Sequence, residues 1–155
     1  MDHLVDKDPP STSNMGDTRN IPLHAAAAAA KGHLVICSAI IDTLSNINAR
    51  NTNGITPLFC AVQRGHLKIC QLIIANVEEK NMPDNMENTP LHTAGQEGHL
   101  KICSAIIETL DDKNPRNNTG ITPLFIAAKH GHLEICKLIV NQMEAKDNLL
   151  KYLIV

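Results

Sequence analysis

A chain of 155 residues with 43% hydrophobic residues and a formal net charge of -2 is long enough for one domain with a core and short for two, since domains run to roughly 100 to 200 residues. That charge supplies no positive field to gather nucleic acid or an anionic membrane, and no apolar run approaches the roughly 20 residues that cross a bilayer. With no Trp, one Tyr and two Phe, any core is aliphatic and built from small side chains, which favours closely packed helices.

Residues 1–19, beginning MDHLVDKDPPSTSN, have almost no apolar periodicity and are expected to form a disordered tail. They also lack the basic-then-apolar order of a secretory signal. Ser11, Thr12 and Ser13 suit a modification or recognition segment, although such clusters are usually only solvated. Five Cys, an odd number, are most simply free thiols in a reducing compartment. The chain is therefore expected inside the cell, in the cytoplasm ahead of the nucleus.

The readable part opens at Ile21 with IPLHAAAAAAKGHL, which holds six alanines from Ala25 to Ala30. The Gly-His-Leu at its end recurs at Gly65, Gly98 and Gly131, each 33 residues beyond the last, and Cys37, Cys70, Cys103 and Cys136 keep the same step. Eight residues before three of those glycines stands a proline, in ITPLF (Ile55 to Phe59), NTPLH (Asn88 to His92) and ITPLF (Ile121 to Phe125). A period of this size marks stacked supersecondary units, none of which buries its apolar face alone. Four units are expected, at about 20–53, 54–87, 88–119 and 120–148, followed by an apolar segment 149–155 that is either a cap or a truncated continuation.

In unit one Pro22 lies ten residues before Gly32, not eight, so the alanine run holds two extra residues. Two residues turn a helix by about 200°, which an internal unit could scarcely absorb. Ala28 and Ala29 fill the small-residue sites if alignment follows Gly32, and Ala26 and Ala27 if it follows Pro22. The constant step to Gly32 and Cys37 favours the first register. Ile21 to His24 then become a lead-in turn, with Asn20 or Thr18 as cap in place of Ile21, a poor one.

From unit two onward the helices read clearly. Thr56, Thr89 and Thr122 are N-cap residues followed by proline at the first helical position. Each first helix ends at a glycine, and a second begins at once, as in HLKICQLIIANV, where Leu67, Ile69, Cys70, Leu72 and Ile73 form an apolar stripe. The links NARNTNG (Asn48 to Gly54) and NPRNNTG (Asn114 to Gly120) are turn-rich.

Motif, period and order together resemble the ankyrin repeat over about residues 20–148. The resemblance implies an all-α solenoid of four helix-turn-helix units joined by projecting loops or short hairpins. The chain departs from the family where Leu44, Val77, Leu110 and Met143 replace a glycine after the second helix, which suggests that this helix runs on or closes by a different turn. Ile21 replaces the threonine of unit one, Glu87 a glycine, and Phe59 and Phe125 the histidine of TPLH. ICSAIIDTL (Ile36 to Leu44) returns as ICSAIIETL (Ile102 to Leu110), while units two and four share GITPLF. A pair of units spanning 66 residues has thus been duplicated, and the array looks like half of a potentially longer one.

Chemistry is not apparent. A ladder of Cys on stacked helices about 8 to 10 Å apart is too widely spaced for disulfides and does not converge as zinc ligands must, so these Cys, and Cys60, are taken as small buried apolar residues. His33, His66, His99 and His132 recur at the helix-helix junction and are taken as structural. His24 and His92 fill the TPLH slot, where the resemblance implies a hydrogen bond to neighbouring backbone. No nucleophile-base set, phosphate loop or isolated carboxylate pair stands out. No enzyme, metal or cofactor is expected.

The resemblance further implies that a protein or peptide docks on a concave face made of loop tips and first-helix ends. In unit two that face contains Thr52, Asn53, Ile55, Gln63 and Arg64. In unit three it contains Asn85, Met86, Asn88, Gln96 and Glu97, and in unit four Asn118, Thr119, Ile121, Lys129 and His130. Arg50 and Arg116 flank the loops. Arg64, Met86, Ile55 and Ile121 are the preferred contacts, since Arg and Met are enriched at interfaces and an exposed Ile near a loop tip asks for a reason. The expected function is a non-catalytic interaction scaffold with an unidentified protein partner, without nucleic acid or membrane insertion. The alternative is a self-associating or structural fragment of a longer array, because NLLKYLIV (Asn148 to Val155) is apolar where a terminal unit should be polar.

Overall fold

Pro57, Pro90 and Pro123 each occupy the first turn of a helix, where the missing N–H of proline is harmless. The threonine before each is extended, and the hydroxyls of Thr89 and Thr122 accept the N–H of His92 and Phe125. The computed structural model describes residues 20–29 and 31–153, with side chains as far as residue 147, and the eight helices among them form four pairs. Unit one holds α1 (Pro22–Ala28) and α2 (Leu34–Ile41), and unit two holds α3 (Pro57–Arg64) and α4 (Leu67–Asn76). Unit three holds α5 (Pro90–Glu97) and α6 (Leu100–Ile107), and unit four α7 (Pro123–Lys129) and α8 (Leu133–Leu153). The expected tail of residues 1–19, Thr18 included, lies outside the described residues, and α8 crosses position 148 without a break.

First helices pack on first helices along the stack, and second helices on second helices, while each pair packs within its unit. Leu23, Leu58 and Leu91 are buried at equivalent places, next to the methyl-sized Ala26, Ala61, Ala94 and Ala127 that let neighbouring helices approach. Ile73, Ile106 and Ile139 repeat the pattern on the second helices. Cys37, Cys60, Cys70 and Cys103 are free and buried, as a packing role requires, and Cys136 is half-buried. Burial pushes the thiols of Cys60, Cys70 and Cys103 up to about 12, far from the reactive thiolate.

Two histidine devices join the units. Gly32, Gly65 and Gly98 hold left-handed backbone at φ 57°, 73° and 79°, and the imidazole of the next unit lies against each. A Cβ there would come within 2.9, 2.8 and 2.6 Å of His66, His99 and His132. His66 Nε2 donates to Ala29 O at 2.8 Å and His132 Nε2 to Gln96 O at 3.0 Å. In the second device His92 Nδ1 accepts from Thr89 N at 3.0 Å, while Nε2 donates to Ile121 O in unit four at 2.9 Å. The ring is fixed from both sides as one tautomer.

His24 does the same in unit one, accepting from Ile21 N at 3.1 Å and donating to Ile55 O at 2.9 Å. This overturns the expected Gly32 register. Ile21 to His24 are not a lead-in turn: Pro22 starts α1, Leu23 and His24 are buried, and Ala26 and Ala27 fill the small-residue sites. Ile21 is the N-cap despite having no polar side chain, and Asn20 instead accepts a bond from Asn51 at 3.1 Å. The two surplus residues fall between the end of α1 and Gly32, where they do not disturb the helical face.

The second helices alternate as the 66-residue period does. In units one and three they stop at Ile41 and Ile107, and the hydroxyls of Thr43 and Thr109 bond back to Ile40 O and Ile106 O at 2.8 and 2.7 Å. In unit two α4 runs to Asn76 with Val77 as its cap, and in unit four α8 continues through Met143. Both outcomes suggested by the missing glycine therefore occur. Lys80 and Lys113 donate to the last-turn carbonyls of Ile74 and Ile107 at 2.7 and 2.9 Å. Asn81 and Asn114 each serve the following unit, accepting the N–H of Leu91 and Leu124 at 3.1 and 3.0 Å.

Three short hairpin turns then connect the pairs. Asn51 Oδ1 accepts from Asn53 N and Ile55 N, at 3.0 and 2.9 Å, while Asn51 N donates to Ile55 O. Asn117 and Asp84 organise the other two turns identically. The fourth residue of each turn is left-handed: Gly54 at φ 78°, Gly120 at 80°, and Glu87 at 61°. A side chain in that conformation costs about 1 to 2 kcal/mol.

Glu87→Gly is therefore expected to raise unfolding free energy by about 0.5 to 1 kcal/mol in urea denaturation, with Glu87→Ala giving no such gain. Equal stability of the two variants would show that the backbone there carries no strain. His92 supplies a second expectation. Burial pushes its imidazole below the usual range, against the opposing pull of the Ile121 hydrogen bond and the Asp84 charge. The unfolded chain therefore takes up a proton near pH 6.5 before the folded chain does, so stability is full above that pH and declines as pH falls below it. Ring resonances followed by NMR should place His92 below 6.5, and a titration at or above that value would contradict the assignment.

Candidate interaction surface

The hairpin turns set the tips of the three loops side by side. Asn85 N donates to Asn53 O at 3.1 Å, and Asn118 N donates to Met86 O at 3.2 Å. Thr52, Asn53, Asn85, Met86, Asn118 and Thr119 are thereby brought into one exposed row. Its backbone is fixed along and across the stack.

Several expected contact residues help to build that row. Arg50 donates from Nε to Gly54 O at 3.3 Å and from Nη2 to Asn85 Oδ1 at 3.4 Å, and Arg116 Nη1 reaches Gly120 O at 3.3 Å. Asn85 Nδ2 donates to Thr52 O at 2.8 Å, the Thr119 hydroxyl to Asn117 Oδ1 at 2.8 Å, and Asn117 Nδ2 to Asn88 Oδ1 at 2.8 Å. Asn88 is half-buried. These side chains shape the surface as well as lining it.

Ile55 and Ile121 differ from expectation. Neither is exposed: both are half-buried, and Ile55 packs against the core. Each closes its hairpin, offering N–H to Asn51 or Asn117 and its carbonyl to both the turn and the TPLH histidine of the preceding unit. That position gives each isoleucine a structural role near its loop tip.

The ends of the first helices provide the second half of the surface. Arg64, Lys129 and His130 are exposed, whereas Gln63, Gln96 and Glu97 are half-buried, with Gln96 Nε2 3.4 Å from Glu97 Oε1. His130 lies parallel to His132 with ring centroids 6.3 Å apart. Unit one places Ala28 and Ala29 at these positions, and the exposed Lys31 stands before Gly32. Met86 is the large apolar side chain of the row, 46% exposed at the middle tip. Sequence spacing missed the organising role of Asn51, Asp84 and Asn117, although an Asn or Asp three residues before each left-handed position was a readable signal.

Among the described residues no cluster of three or more His, Cys, Asp or Glu side chains is placed to hold a metal ion. A groove of about 450 Å³ lies between the Asp111 to Arg116 link and Met143, Lys146 and Asp147 of α8. Its lining mixes both signs of charge around an open mouth. No helix among the described residues is long and apolar enough to cross a membrane.

Comparison with known families matches the chain to ankyrin repeats in three overlapping copies, at residues 2–84, 23–117 and 73–151. A search of curated proteins returns no match. The family match spans most of the chain and agrees with the paired helices, the left-handed glycines and the TPLH histidines bonded to the following unit. The chain belongs to the ankyrin-repeat family.

Proposed function

We propose that the chain is a binding module without chemistry of its own, holding a folded protein or a peptide against the hairpin tips and first-helix ends. Ankyrin repeats are in general protein-protein interaction modules and typically not catalytic. The observation that carries the site is Met86. An apolar side chain stands exposed while its N–H is held by Asp84 Oδ1 at 2.8 Å and its carbonyl by Asn118 N. An anchor already fixed at the backbone loses little freedom on binding, and Met is enriched at interfaces.

Around Met86 the chain varies what it offers while keeping the framework constant. Arg64, Glu97 and Lys129 supply both signs of charge, with the imidazole of His130 beside them, from equivalent or adjacent positions of successive units. Such a surface suits a partner of mixed charge with an apolar centre, and four units offer about 800 Å² to it, the size of a standard interface. The five free thiols fit a reducing compartment, and we place the protein inside the cell.

Affinity capture with the full chain, compared with a Met86→Asp, Arg64→Glu double variant and with Lys101→Glu on a second helix, tests this surface. Proteins held by the wild type and by Lys101→Glu should be lost from the double variant by at least about tenfold. Equal recovery on all three would remove the hairpin face as the binding site.

A further inference from the structure

The end faces of the stack carry a second signal, independent of the hairpin surface. Units two and four share GITPLF and present Phe, not His, toward the next unit. Phe59, on a helix against which unit three packs, is 3% exposed, whereas Phe125, its counterpart, is 56% exposed. The contrast repeats across the face. Ile74 and Val77 are buried in unit two, while Val140 and Met143, one period on in unit four, are exposed. Gly65 lies under His99, and no described side chain approaches Gly131.

The opposite end is the matching half. Ile36 is 50% exposed, although Ile69, Ile102 and Ile135 at the same position are each covered by the unit before them. His33 has the backbone of His66 and His99, at φ -80° and ψ 76°, but has no glycine of a preceding unit beneath it among the described residues.

Unit one is of the same type as unit three, and unit four of the same type as unit two. The interface between units two and three is therefore a template for joining the two free faces. We propose that the chain associates head to tail with a second copy of itself, unit one of one copy seating on unit four of the next as unit three seats on unit two. His33 then lies over Gly131, Ile36 enters the stack, and Phe125 is covered. At Lys146 the prolonged part of α8 is tied to its own copy by a bond to Asp111 O.

A joint between unlike faces does not close on itself, so association should continue past the dimer as concentration rises. Sedimentation velocity of the full chain from about 1 µM to about 500 µM should show average mass rising without a dimer plateau. Ile36→Asp removes the head and Phe125→Asp the tail, and Val140→Glu is a second tail variant; all three sites are exposed, and circular dichroism checks that each variant folds. Each should be monomeric alone, and an equal mixture of Ile36→Asp with either tail variant should give a dimer and nothing larger. A wild type monomeric throughout would overturn the proposal, as would self-association of Ile36→Asp or a mixture that stays monomeric. Loss of head-to-tail association would leave partner binding at Met86 untouched, so the two functions fail separately.

Discussion

The stack depends on a glycine that does two jobs. At Gly32, Gly65 and Gly98 the backbone must be left-handed to turn from the first helix to the second, and the absent Cβ makes room for the imidazole of the next unit. Either demand alone would favour glycine; together they admit nothing else without strain. The same residue thus sets the geometry within a unit and the spacing between units. Once that distance is fixed, the buried isoleucines and the cysteine ladder fall into register down the stack.

Register along the inner edge follows from the helix joint. Because His24 and His92 reach the carbonyls of Ile55 and Ile121, the first helices of units one and three are tied to the closing residue of the following hairpin. Along the row Asn85 and Asn118 bond to the preceding tip. What results is a row of turns whose polar backbone is already paired, with side chains exposed along it. Arg50, Asn85 and Asn88 are largely occupied in this construction, while Met86 projects from it. An exposed side chain and a scaffolding side chain occupy neighbouring positions on the same loop, and only the hydrogen bonds separate them.

Much of this was legible in the sequence because its signals are local. The proline after an N-cap threonine, the glycine eight residues later and the constant step of the cysteines each report a short-range requirement. The alanine run shows where local signals end. Six identical side chains erase the difference between two registers, and the contact that decides between them, His24 to Ile55, spans 31 residues. The half-burial of Ile55 and Ile121 is hidden for a related reason: a residue that closes a turn and receives a distant imidazole is covered by neighbours that no window around it contains. The roles of Arg50 and Arg116 were hidden because an arginine bonded to carbonyls of its own loop looks, in sequence, like one aimed at a partner.

Alternation of unit types has an energetic consequence beyond symmetry. Joints from odd to even units are made by a histidine hydrogen bond, worth about 0.5 to 1.5 kcal/mol net, whereas the joint from unit two to unit three buries Phe59 and its apolar neighbours, with about 1.5 to 3 kcal/mol for a single large side chain. The polar joint specifies orientation, since the ring is held at both nitrogens. At this one position the Phe adds apolar burial where the His adds direction. A two-unit repeat therefore sets a phenylalanine on the first helix of every even unit, buried as Phe59 and exposed as Phe125. Aligning identity, burial and position at that face makes Phe59 and Phe125 informative as a pair: the same side chain in the same local structure differs only in what lies beyond it.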